Sequence, residues 1–288
     1  MYVKAGTLKR RQFVASSFSS LCLVATIVGI VALAILLYTV FSDAQGRLSI
    51  EFLTSPPSRF PERAGISSAL IGSLWVVTLT AAIAVPVGVA AAVYLEEWNR
   101  WKTPLIAFIE LNISNLASVP SIIYGLLGLA LFVRWMALGR SVISGALTMS
   151  LLVLPMVITV SQEALKTVPI SYREGSMALG ATQWQTIRRQ VLPYAFRGIL
   201  TGVILSLSRA IGETAPLIMI GAASFVKFAP KDLLSSFTVL PIQIFNWTSQ
   251  PQEGFHKAAA AGVAVLLATL LVLNSVAIYL RRKYRIAN

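Results

Sequence analysis

The sequence has one cysteine, Cys22, and one histidine, His256. A lone thiol excludes an internal disulfide, and the two residues together leave no room for a His/Cys metal site. No GxxxxGK[ST] loop occurs, so the chain lacks the phosphate cradle by which nucleotide hydrolases hold ATP. No Ser/His/Asp or Cys/His set can be built around His256, which is expected in an exposed loop. Charge is scarce as well, with 12% of residues charged against 56% hydrophobic. That balance is outside the range of an ordinary soluble domain. There is no internal repeat and no low-complexity tail. The net charge of +13 does not signal nucleic acid, because no basic surface is interleaved with aromatic residues on which bases could stack.

What is present is a series of long uncharged runs separated by short charged intervals, the pattern of an all-α polytopic membrane protein. Six spans are expected, over 19–41, 67–95, 105–133, 142–161, 198–224 and 258–280. A cytoplasmic arm over 1–18 precedes them, carrying Lys4, Lys9, Arg10 and Arg11. The first run is long enough to cross and stay, and lacks the small-residue cleavage site of a secretory signal. Pro86 with Gly88 marks a kink in the second span, and Pro155 interrupts the fourth. Pro56, Pro57 and Pro61 give an extended extracytoplasmic loop. The segment TVLPIQIFNW, Thr238 to Trp247, is too short to cross and is expected at the outer surface or in a shallow re-entrant position.

Six crossings place both termini on one side. That side carries 15 basic residues, including Arg100 and Lys102 beside Trp98 and Trp101 and the cluster ending in Arg285, against 8 on the other. Positive charge is retained inside, so the side with the termini is cytoplasmic.

Two stretches stand out. The first is a polar cytoplasmic loop over 163–197. Pro169 fits a helix start, Gly180 can take the left-handed conformation that ends one short helix and begins another, and Pro193 stops the second. Met177, Ala178, Leu179, Trp184, Ile187 and Val191 supply its apolar contacts. Such a helix pair fits a partner's groove, or lies on headgroups with Trp184, Arg188 and Arg189 as anchors.

The second is Arg209 with Glu213, in the middle of the fifth span. Isolated charges there cost about 2.5 to 3.5 kcal/mol each on insertion scales, so they need partners or water. Their i, i+4 spacing lets them pair on one face, and Gly202 and Ser206 extend that face into a small, polar stripe. Pro216 frees the carbonyl of Gly212 and bends the helix just after the pair. The pair either fixes helix packing or lines a pathway. The third span poses the same alternative: Asn112, Asn115, Ser118, Pro120, Ser121 and Tyr124 are either packing polar groups or a polar path. Glu110 reads as an interfacial charge.

Glu174, Gly175 and Ser176, then Gly180, then Leu192 and Pro193 resemble the EAA---G---------I-LP loop by which permease subunits of ABC importers engage their ATPases. Gly175 and Ser176 stand where that motif has two alanines, and Gln190 where it has isoleucine; the Glu174, Gly180 and Pro193 spacing is kept. FLTSPPSR (Phe52 to Arg59), SVPSIIYGL (Ser118 to Leu126) and RAIGETAPL (Arg209 to Leu217) resemble the PstA-type permeases of phosphate ABC importers, and together the blocks cover most of the chain.

The resemblance implies a type I ABC importer transmembrane domain with six transmembrane helices and a cytoplasmic coupling helix, in the bacterial inner membrane. It implies docking to ATPases through Glu174, Gly175, Ser176, Ala178, Gly180, Leu192 and Pro193, and a substrate pathway through Arg209, Glu213, Ser206 and Thr214. It implies as partners a second permease of the PstC type, two cytoplasmic ATPases that bind ATP and magnesium, and an extracytoplasmic phosphate-binding protein. No cofactor is expected in this chain, and no enzymatic activity. In such a pathway Arg209 would offer a planar fork to an oxyanion, and Glu213 would accept a hydrogen bond from the P–OH that phosphate keeps near neutral pH and sulfate lacks. A permease for another oxyanion, such as sulfate, molybdate or a phosphonate, shares this sequence logic. An ion-coupled secondary transporter or a membrane scaffold does so less fully.

Overall fold

A computed structural model describes residues 5–98, 103–222 and 225–283. Lys4, Arg100, Trp101, Lys102, Arg285 and the expected span end at Ser224 lie outside them. The described residues are predominantly helical and contain no strand.

Twelve α-helices occur among the described residues: α1 (Ala5–Ala44), α2 (Ile50–Thr54), α3 (Ser67–Val93), α4 (Pro104–Ala117), α5 (Ser121–Gly128), α6 (Val142–Lys166), α7 (Ile170–Ala178), α8 (Gln183–Thr186), α9 (Leu192–Gly212), α10 (Ala215–Met219), α11 (Leu240–Thr248) and α12 (Glu253–Lys283). Wider π turns extend three of them: Tyr94–Trp98 after α3, Leu129–Trp135 after α5, and Ile187–Val191 between α8 and α9. By length and composition five helical stretches can cross a membrane, and α4 with α5 makes up a sixth.

The central post is α6, the most buried of these stretches. It packs between α3 and α9, and their apolar faces form the larger core around Ala84, Val153, Val157, Leu165 and Val191. Gly88 lets α3 close on α6, since a Cβ there would stand 2.6 Å from a Val157 methyl carbon. A second core gathers Phe52, Ile66, Leu240, Trp247 and Phe255, where α2, α11 and α12 meet the start of α3. Helix α1 touches α12 and is otherwise exposed along an apolar surface.

Several expectations need correction. The arm expected over 1–18 is helical from Ala5 and continuous with the first span, because no proline breaks the chain before Ala44. The fourth span runs unbroken through Pro155 and on to Lys166. The third is not one straight helix: Pro104–Ala117 and Ser121–Trp135 meet at a bend of 100°, broken at Ser118–Pro120. Pro120 has no N–H to carry the helix across, and Tyr124 fixes the corner by donating its hydroxyl proton to the Leu116 carbonyl at 2.8 Å. The fifth span also ends early, at Gly212 rather than 224.

The loop after α1 is partly helical rather than extended. Arg47 donates to the carbonyls of Glu62 (2.7 Å) and Ala64 (3.2 Å), and Phe52 is buried against Trp247. His256 is exposed on the first turn of α12 and does not lie in a loop. The Thr238–Trp247 segment supplies most of α11, which packs on α12 and α3.

Candidate functional site

Helix α9 delivers Arg209 and Glu213 to its own C-terminal end. Glu213 is the C-cap residue, in extended backbone at φ −76°, ψ 119°, so the pair spans a helix break instead of lying within a helix. The break precedes Pro216, which occupies the first turn of α10, and the freed Gly212 carbonyl faces the Thr214 hydroxyl at 3.5 Å. Arg209 Nε and Glu213 Oε1 are 3.5 Å apart, with side chains 64% and 21% exposed. One Nη also reaches the Met156 sulfur at 4.0 Å, the rest of the fork is open, and Arg209 sits in the last turn of α9, where the helix dipole favours a cation.

The second broken helix meets the first. A cavity of about 300 Å³ is walled by Leu116 to Ser121 at the α4–α5 corner, by Leu152, Val153 and Met156 of α6, and by Ser206, Arg209, Ala210 and Glu213 of α9. Ser118, Ser121, Ser206, Arg209 and Glu213 are its polar lining. The start of α5 forms part of the wall, and Pro120 makes no side-chain cap there. The N-terminal turn of α5 thus adds positive character to the wall of the cavity that Arg209 also lines.

Ser206 is buried, with its hydroxyl bonded to the Gly202 carbonyl at 2.9 Å. Thr214 lies next to the pair and outside the cavity lining. Gly202 leaves the stripe altogether, since it is where α9 presses on Val160 of α6. Of the third-span residues, Ser118, Pro120 and Ser121 line the cavity. Asn112 turns back onto the Phe108 carbonyl, and Glu110 accepts from Gln162 at 3.1 Å. The corner was hidden in the sequence because the uncharged run continues through it; Pro120 was its local signal.

The loop over 163–197 forms a separate surface. Gly180, at φ 83°, ends α7, and a capping box of Thr182 and Gln185 starts α8. Pro169 is the N-cap of α7 rather than its first helical residue. Pro193 does not stop the second piece; it occupies the first turn of α9, where a missing N–H breaks nothing, after the π turn has joined α8 to α9.

The residues expected to dock divide in two. Glu174, Gly175, Ala178 and Gly180 are exposed, beside Leu179 at 90% exposure. Ser176 is half-buried, sharing a hydrogen bond with the Thr186 hydroxyl at 3.0 Å. Leu192 and Pro193 turn inward to an apolar groove of about 750 Å³ between α3 and α9, closed at one end by Trp98 and Trp184. Ile187 and Val191 are buried in the main core, while Met177 and Trp184 are exposed. The sequence reading missed Arg173, which is buried against Glu97 at the end of α3. Seventy-six residues separate them, and no local pattern links them.

Residues 84–286 match the family model described as "Binding-protein-dependent transport system inner membrane component". A probable ABC transporter permease protein, YqgI of Bacillus subtilis, is 30% identical over 278 residues, covering 92% of this chain and 93% of its own length. The phosphate transport system permease protein PstA of Haemophilus influenzae is 34% identical over 251 residues, 87% and 88% of the two chains. PstA of Xylella fastidiosa is 31% identical over 96% of each. Among solved structures, the MetNI methionine ABC transporter in an inward-facing conformation superposes with a TM-score of 0.59 at 18% identity, covering 77% of this chain and 95% of that one. A bacterial ABC transporter that imports alginate gives 0.61 at 16%, covering 96% and 100%. At such identities these two establish the fold alone, that of a type I ABC importer transmembrane domain. The family supplies the coarse setting: a multi-pass inner-membrane transport subunit that works with an ATPase, a substrate-binding protein and a second permease. The chain belongs to the binding-protein-dependent transport system inner membrane components, as an ABC importer permease of the PstA type.

Proposed function

We propose that this chain moves inorganic phosphate through the cavity at the two helix breaks, in an importer driven by ATPases docked on α7. The observation that carries the reading is the meeting of an exposed arginine fork, a carboxylate and three serines around one 300 Å³ space, with the start of α5 in its wall. The PstA relatives, named for phosphate transport, support phosphate as the cargo. Arg209 draws the anion in, with the N-terminal turn of α5 in the same cavity wall. Glu213 holds the arginine and accepts the proton of a P–OH group, a contact that fully ionised sulfate cannot make.

The open side of Arg209 faces where a second permease of the PstC type closes the path. An extracytoplasmic phosphate-binding protein delivers the anion, and two cytoplasmic ATPases, which carry the ATP and magnesium, dock on Glu174, Ala178, Leu179 and Gly180. Both termini are cytoplasmic. ATPase closure moves α7, and through it the core helices, switching the cavity between outward and inward access. This chain needs no cofactor of its own.

The test is labelled-phosphate uptake in cells lacking this gene, complemented with the native chain or with Arg209→Ala, in excess unlabelled sulfate. The native chain restores uptake. Arg209→Ala loses the hydrogen bonds of a charged donor, worth about 1.5 to 3 kcal/mol, and uptake falls about ten- to a hundredfold. Equal restoration by both makes Arg209 a packing residue. Restoration by neither, with both in the membrane, rejects phosphate as the cargo.

A further inference from the structure

The buried pair Arg173–Glu97 joins the exposed docking surface to the helices around the cavity, and neither residue belongs to the motif that marks the loop. Arg173 is 8% exposed and Glu97 3%. Arg173 Nε donates to both carboxylate oxygens of Glu97 at 3.2 and 3.1 Å, and one Nη donates to the same carboxylate at 2.5 Å. That Nη also reaches the Leu165 carbonyl at 3.0 Å, and the other reaches the Val168 carbonyl at 2.6 Å. From the far side of the loop, Gln183 donates to the backbone carbonyl of Glu97 at 2.6 Å. One guanidinium thus ties together the end of α3, the end of α6 and α7, and Glu97 holds α8 as well.

We propose that Arg173 and Glu97 form a rigid clamp that transmits movement of α7 to α3 and α6, making both positioning residues for transport. Arg173 directly precedes Glu174 on α7, so a push on the exposed face of that helix acts at the fork. The fork is planar and multiply bonded, which fixes direction as well as distance. From Glu97 the path continues along α3 to its close contact at Gly88 and Val157, and α6 carries it to Leu152, Val153 and Met156 in the cavity wall. Stability alone does not call for this arrangement, since well-packed apolar residues replace a buried ion pair at little or no cost. That fact also provides a variant that folds without the fork.

The proposal rests on the transport reading for its cargo and for ATPase docking on α7, so the experiment has two readouts. The complete importer, with its ATPases and binding protein, is reconstituted in vesicles with Arg173→Lys, with the double change Glu97→Met and Arg173→Met, and with the exposed Lys231→Gln as control. Labelled phosphate taken up is measured per ATP hydrolysed. In a Cys22→Ser background, spin labels at exposed Ser171 and Tyr94 report the distance between α7 and the end of α3.

The expected result is that all variants keep their ATPases on purification. Uptake per ATP falls about tenfold in the double variant, falls less in Arg173→Lys and is unchanged in Lys231→Gln. The native label distance stays narrow and constant with and without trapped nucleotide, and it broadens in the double variant. The clamp is overturned if the double variant keeps the native ratio or the narrow distance, if the native distance itself changes with nucleotide, or if both pair variants lose their ATPases, which would make the pair a folding element. Should the native importer fail to move phosphate while the distances behave as expected, the cargo assignment falls and the clamp stands.

Discussion

Arg209 and Glu213 face the same cavity with different exposure, and that difference separates their roles. The arginine fork is open to an arriving anion, whereas the carboxylate is held back within reach of it. In the proposed pathway, discrimination between oxyanions depends on Glu213 as the acceptor of a P–OH proton. Glu213→Gln replaces one carboxylate oxygen with an amide donor, which a fully ionised anion can use. A charge-assisted hydrogen bond contributes about 1.5 to 3 kcal/mol, so the preference for phosphate over sulfate is expected to fall about ten- to a hundredfold. Uptake of labelled phosphate against rising sulfate measures it, and an unchanged preference together with unchanged flux refutes the role of Glu213. At this scale the sequence was informative, since two charges in an apolar run announce themselves. It could not show that Ser118 and Ser121 join them, because those serines arrive from a helix corner some ninety positions away.

Among the elements, the docking loop shows how two glycines in one short stretch differ. Gly180 has φ 83° and open space around its Cα, so only backbone strain opposes a side chain there. Gly175 is helical, also in open space, inside α7. Gly180→Ala forces a Cβ into the left-handed region at about 1 to 2 kcal/mol and loosens the turn between α7 and α8. Gly175→Ala favours α7 by about 1 kcal/mol. Retention of the ATPases on purification under rising salt is expected to fall several-fold for the first and to hold or improve for the second. The turn was legible, because glycine chemistry is local. The wrong expectation for Pro193 had the same source: proline marks either the end of one helix or the first turn of the next, and only the π turn before α9 decides between them. Pro120 and Pro155 make the point again, one breaking a helix and the other carried within one.

For the whole molecule, the source of energy is the property to test. The family to which the chain belongs places the motor in a partner ATPase. In cells with ATP maintained by substrate-level metabolism, collapsing the proton gradient is expected to leave labelled-phosphate uptake within about twofold of its starting rate. Coupling to ions would abolish it, since about 2.3 kcal/mol per charge is lost for every 100 mV. A large drop in uptake at constant ATP would return the chain to the ion-coupled class.

The sequence by itself determined that the chain is a helical membrane protein, which stretches are apolar enough to span, and where its polar loop and the Arg209 and Glu213 charges fall. These follow from composition and from interactions a few residues apart, which local physics fixes. Only the tertiary structure decided where two of the spans break, which serines meet Arg209, and that Arg173 closes on Glu97. The reason is that a buried polar group must find its partner wherever packing supplies one. Here the partners lie 52 residues away for Glu110 and Gln162 and 76 away for Glu97 and Arg173, beyond the reach of any local pattern.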